Sequence, residues 1–210
     1  MQTTANTQKS NGSTGITTPL MPPKQPRLST WAEFEKKYLG REDGYKYEWV
    51  NGCVEKTENT MNPTQLYIQF NLQECFMHLK SEGKVIGQLI AETDLLFFSN
   101  IHRRPDFAWL TQAQVSRLSQ AGVIEIPAFV IEVISTRDAA LKLVDKMRDY
   151  RTAGVQVVWL IYPQQQEVHV YGGTNLEQMT VCTGEKLCSA APVLPEFVFP
   201  TSTIFKKDTN

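Results

Sequence analysis

The stretch AFVIEVI, Ala128 to Ile134, decides the fold. Six apolar residues surround one carboxylate. A near-continuous apolar run predicts a strand covered on both faces, as in a sheet with helices packed against it. An ionised carboxylate left unpaired inside such a strand is very unfavourable. Glu132 therefore sits at a strand end, is protonated, pairs with a cation, or binds a metal. Every option but the first is a mark of function.

Working outward, the next segment, Asp138 to Thr152, has helical spacing and is ended by Gly154. Leu143, Met147, Tyr150 and Gly154 follow a 4-3-4 pattern that marks its buried stripe. Lys146 borders that stripe and leans toward the sheet. It either reaches back over the strand ends or stays plain, snorkelling to solvent or pairing with Asp149. Upstream, Asp106 follows Pro105 and precedes the apolar FAWL. Proline is tolerated at the first position of a strand, so Asp106 is a second acid at the start of a core strand. Two acids on neighbouring strands can share a hard divalent cation such as Mg²⁺, which keeps waters for a phosphate substrate. Glu48, in YKYEWVNG, reads locally as an exposed strand glutamate.

The rest of the chain fills in around this centre. Residues 1–28 are rich in Thr, Gln, Asn, Ser and Pro without apolar periodicity and are expected to be a disordered tail. The domain is expected over residues 29–206. Ser29 or Thr30 caps a helix from Trp31 to Leu39. Tyr45 to Thr57 is two strand halves about Asn51-Gly52, the strongest short hairpin signal. After a connector from Asn59 to Pro63, residues 64–80 carry apolar positions at helical period, and Gly83 stops them. Val85–Ile90, Thr93–Phe98 and Asp106–Leu110 read as strands, with a polar turn over Ile101–Arg104 and a helix or loop from Leu110 to Gly122. Val155–Tyr162 and Glu167–Tyr171 are strands across a Pro163–Gln166 turn. The last segment reads as loop and edge strand, with Phe197, Val198, Phe199 and Phe205 packing back on the core. No internal repeat is present.

Bulk properties exclude several classes. The 210 residues are 41% hydrophobic and 20% charged, ordinary for a soluble globular protein. No apolar run is long enough to span a bilayer, and the polar start MQTTANTQKS lacks a secretory core. Cys53, Cys75, Cys182 and Cys188 match no zinc spacing and read as reduced thiols of a cytoplasmic protein. His78, His102 and His169 are scattered. The formal net charge of -1 argues against strong nonspecific DNA binding, though Arg103, Arg104, Lys142, Arg148 and Arg151 offer local phosphate contacts.

The order Pro105-Asp106, then Glu132-Val133-Ile134, resembles the PD-(D/E)XK nuclease superfamily. Ile134 stands where the usual lysine would be, and Lys146 is placed for the variant in which that lysine has moved to the following helix. More specifically, YEWVNGCVEK, RPDFAWL, IEVISTRD, DKMRDYRTAGV, VVWLIYP with VHVY, and LPEF resemble the bacterial Uma family of restriction-endonuclease-like proteins, abundant in cyanobacteria. The resemblance covers roughly residues 30–205. It implies an α/β (α+β) domain with a restriction-endonuclease-like core, a mixed sheet flanked by helices. It implies a site of Glu48, Asp106, Glu132 and Lys146. Glu48, Asp106 and Glu132, with the Val133 carbonyl, would hold Mg²⁺ or Mn²⁺, and Lys146 would orient water or offset phosphate charge. It further implies a DNA substrate and a homodimer. The chain departs from the family at Gln65, where a histidine is usual, and at Glu196, where a glycine is usual.

These residues point to a metal-dependent DNA endonuclease. The alternative is a noncatalytic domain that keeps the fold for nucleic-acid or protein binding. A two-carboxylate glycosidase would also use paired acids, but it has no need of Lys146.

Overall fold

A computed structural model describes residues 28–58, 63–120, 122–135 and 140–207. The expected tail lies outside these residues except for Leu28, as do most of the connector and the start of the helix expected from Asp138.

The centre is a six-stranded sheet. β6 (Phe107–Leu110), β7 (Phe129–Val133) and β8 (Val157–Tyr162) form its middle. β3 (Gln88–Ala91) flanks them on one side, and β9 (Glu167–Gly172) with β10 (Gln178–Thr183) on the other. β7 and β8 are parallel and every other pairing is antiparallel. A parallel pair needs a crossover, and α4 (Ala140–Ala153) provides it.

Strand alternation sorts the core into two layers. Phe107, Phe129, Ile131, Trp159 and Ile161 face α2 (Pro63–Ser81) and the hairpin of β11 (Leu187–Ala190) and β12 (Leu194–Pro200). Ala108, Leu110, Val130, Val158 and Leu160 face α4 through Met147 and Tyr150. β7 is buried at all five positions, as its apolar run predicts. The mixed sheet flanked by helices is as expected.

A second sheet, ordered β2-β1-β5-β4, covers the α4 side. It contains β1 (Tyr45–Val50), β2 (Cys53–Glu58), β4 (Leu95–Phe98) and β5 (Ile101–Arg103). Asn51 (φ 50°) and Gly52 (φ 82°) make the expected hairpin turn, since both sit where the left-handed backbone favours such residues. One face of β1 buries Tyr47 and Trp49 against Phe34 of α1 (Trp31–Lys37). Thr30 caps α1 in a reciprocal capping box with Glu33.

Three expectations need correction. Ile101–Arg103 is a strand, because Arg103 is buried with acidic partners elsewhere in the fold and His102 is buried against the rings of Trp31 and Phe34. The C-terminal segment is more regular than read: β10, β11, β12 and α5 (Thr201–Phe205) all form. Phe197 is fully buried, stacked on Trp159, but the neighbouring Val198 points outward with 38% exposure because alternate strand positions face opposite ways. β3 starts at Gln88 rather than Val85. Gly87 (φ 79°) precedes it, and a Cβ there would lie 2.5 Å from the Leu110 carbonyl oxygen.

Candidate active site

The acids meet where the two sheets face each other. β6 and β7 pair with Phe107 opposite Ile131, so one further step of that register sets Asp106 opposite Glu132. The Val133 backbone N–H donates to Asp106 Oδ2 at 2.6 Å, fixing that carboxylate at the strand end. Glu132 lies on the α4 face of β7 and is 4% exposed. Glu48 comes from β1 in the other sheet, also 4% exposed, and accepts from the Arg104 backbone N–H at 2.9 Å. The structure therefore brings Glu48, Asp106 and Glu132 to one seam.

Lys146 joins them. Its Nζ lies 3.1 Å from Glu132 Oε1, 3.3 Å from Glu132 Oε2 and 3.2 Å from Glu48 Oε1. It reaches over the strand ends and does not pair with Asp149. Asp149 instead accepts from Arg103 Nε at 3.0 Å and from a terminal guanidinium nitrogen at 2.6 Å. Tyr150, one helical turn after Lys146, donates its hydroxyl to Glu132.

Two further cations enter the site, and local sequence singles out neither as part of it. Lys46 donates to Asp106 Oδ1 at 2.9 Å and is only 8% exposed. Its signal was present: Lys46 and Glu48 are two apart on one strand and share a face. Arg103, read as a phosphate contact, is completely buried. It binds Glu48 at 3.2 Å, Glu55 at 3.0 Å and Asp149, tying β1, β2 and α4 together. Arg104 is also committed, donating to the Glu92 carbonyl at 2.8 Å. Lys142, Arg148 and Arg151 remain exposed on α4.

The electrostatics follow from burial and neighbours. Burial pushes the Glu48 carboxyl up, but Lys146, Arg103 and Lys46 outweigh it and hold the group down at about 2. For Glu132 burial prevails over the pull of Lys146 and Lys46, and its carboxyl is raised. Burial also raises the Tyr150 hydroxyl, reinforced by the Glu132 and Glu48 charges, so the phenol stays a donor.

Among the described residues, no group of three or more His, Cys, Asp or Glu stands ready around a metal position. The donor set still suits a hard cation. It is all oxygen, and the three carboxylates outnumber the two ammonium groups that touch them.

The family model described as "Uma2: Putative restriction endonuclease" matches residues 31–202. The chain belongs to this family. A crystal structure from Anabaena variabilis ATCC 29413, described as "a putative nuclease belonging to DUF820", is similar to this Uma2 chain with a TM-score of 0.68. It is 19% identical, and the match covers 84% of this chain and 97% of that one. At that identity the likeness shows a shared fold. No curated protein matches the chain. Among the described residues of this Uma2 member, no helix is long and apolar enough to cross a membrane.

Proposed function

We propose that the chain is a metal-dependent DNA endonuclease that hydrolyses phosphodiester bonds. The observation that carries this is the gathering of Glu48, Asp106, Glu132 and Lys146 from two sheets and a helix into one largely buried cluster. Glu48, Asp106 and Glu132, with the Val133 carbonyl, are the groups that would hold Mg²⁺ or Mn²⁺. When bound, such an ion supplies Lewis acidity and lowers the pKa of a coordinated water. The protein's own groups set the geometry. The Val133 N–H fixes the Asp106 carboxylate, and Tyr150 fixes the rotamer of Glu132. Lys146 sits between two acids, where its charge can orient a water or offset a phosphate. The exposed Lys142, Arg148 and Arg151 lie on the same helix and supply phosphate contacts. A homodimer in the cytoplasm belongs to the same proposal, on the strength of the family.

Cleavage of supercoiled plasmid tests this. We expect nicking or linearisation that needs Mg²⁺ or Mn²⁺ and vanishes with EDTA and in Glu132→Ala. Cleavage that survives both refutes the assignment.

One observation favours a second reading, a noncatalytic domain that binds nucleic acid or protein. The acids are already satisfied by protein donors and do not converge as a ready ligand set. Under that reading, calorimetry detects no affinity for a divalent metal.

A further inference from the structure

Each carboxylate oxygen of the three acids already accepts from the protein. Asp106 Oδ2 takes the Val133 N–H and Oδ1 takes Lys46. Glu48 Oε1 takes the Arg104 N–H and Lys146, and its Oε2 takes Arg103. Glu132 Oε1 takes Tyr150 and Lys146, and its Oε2 takes Lys146. A divalent cation entering this cluster must therefore compete with these donors for the carboxylate oxygens.

The donors differ in how easily they leave. The Val133 and Arg104 donors are backbone amides and cannot withdraw without disrupting the chain. Arg103 holds three acids on three elements, and its loss would leave several buried charges unpaired. Tyr150 is fully buried. Lys146 spans Glu48 and Glu132, so its departure breaks contacts on both sheets. Lys46 is different. Among the described residues its hydrogen-bond acceptor is Asp106 alone, and Asp106 has the most exposed side chain of the three acids, at 21% against 6% for the other two. Its charge also sits on a flexible four-carbon stem.

Charge points the same way. The Lys46 ammonium sits in the field of Asp106, Glu132 and Glu48, and its withdrawal leaves these acids one positive charge poorer, a deficit that a divalent cation makes good. We propose that Lys46 is an internal cation that occupies the Asp106 position of the metal site, and that divalent metal binds by displacing its ammonium group from Asp106. The inference rests on the metal reading of this site. It makes Lys46 a positioning residue that sets how much metal the resting protein needs.

The experiment is calorimetry of Mn²⁺ binding to the full chain and to its Lys46→Met and Lys46→Gln variants, with a Mn²⁺-soaked crystal of the unaltered chain. We expect both variants to bind Mn²⁺ at least tenfold tighter. In the crystal, Mn²⁺ should touch Asp106 while the Lys46 Nζ has left it. Unchanged, weaker or absent binding in the variants overturns the proposal. So does a metal on Asp106 with Lys46 still hydrogen-bonded to it. Plasmid cleavage by the same preparations separates the two ideas. Tighter binding without cleavage leaves displacement standing and removes the nuclease. Metal-dependent cleavage with unchanged affinity does the reverse.

Discussion

Arg103 shows what a residue looks like when its neighbours, rather than its chain position, decide its role. In the sequence it is one of two arginines before a proline. In the fold it is a buried guanidinium shared by Glu48, Glu55 and Asp149. Removing one member of a buried charge network strands the others, at a cost of about 3–5 kcal/mol. Arg103→Met should therefore lose roughly that much stability in urea denaturation, even though methionine fills much of the space. A loss near zero would mean that water replaces the guanidinium. Legibility divides along the same line. Glu132 and Asp106 stood out because a charge beside apolar strand residues needs a reason. Lys46 and Glu48 did not, because Tyr45, Tyr47 and Trp49 give β1 an ordinary aromatic face, and the opposite face meets only residues far away in sequence, Asp106 before β6 and Lys146 on α4. Glu48 came from the family resemblance alone.

Elements with a strong local signal formed where expected. Asn51-Gly52 placed the hairpin, the apolar run placed β7, and helical spacing placed α2 and α4. β5 reads as a turn because the burial of His102 and the acidic partners of Arg103 come only from the tertiary fold. The start of β3 was misread because Val85 and Ile86 look like strand, while Gly87 must turn tightly past Leu110. Two glycines make this testable. Gly83 and Gly87 share a left-handed backbone (φ 71° and 79°), but a Cβ meets nothing within 4 Å at Gly83 and a backbone oxygen at 2.5 Å at Gly87. Gly83→Ala should cost about 1 kcal/mol, the strain of that backbone alone. Gly87→Ala should cost a further ~1–3 kcal/mol from overpacking against an atom that cannot rotate away. Thermal melts of the two variants give the comparison, and equal costs would contradict it.

At the scale of the whole molecule, the mixed sheet with helices on its faces was readable because the alternation of strand and helix around β7 and β8 admits few topologies. The second sheet was not, since it joins two local pairs from separate stretches, β1 with β2 and β4 with β5, through the long-range pairing of β1 with β5. The candidate site sits on that division. Asp106 and Glu132 belong to the central sheet and Lys146 to α4, whereas Glu48 and Lys46 belong to the hairpin. Polar bonds to Asp106, Lys146 and Arg103 close the hairpin over the acids. Segments held mainly by a polar seam open more readily than a buried sheet. Native-state hydrogen exchange should show Tyr45–Glu58 opening as a unit at lower free energy than Phe129–Val133, and opening more often in Arg103→Met. Identical protection of the two segments would count against it. The site is thus a meeting of two parts, present only while the hairpin is shut. The fraction of time it spends closed sets an upper bound on any activity, however well each part is folded by itself.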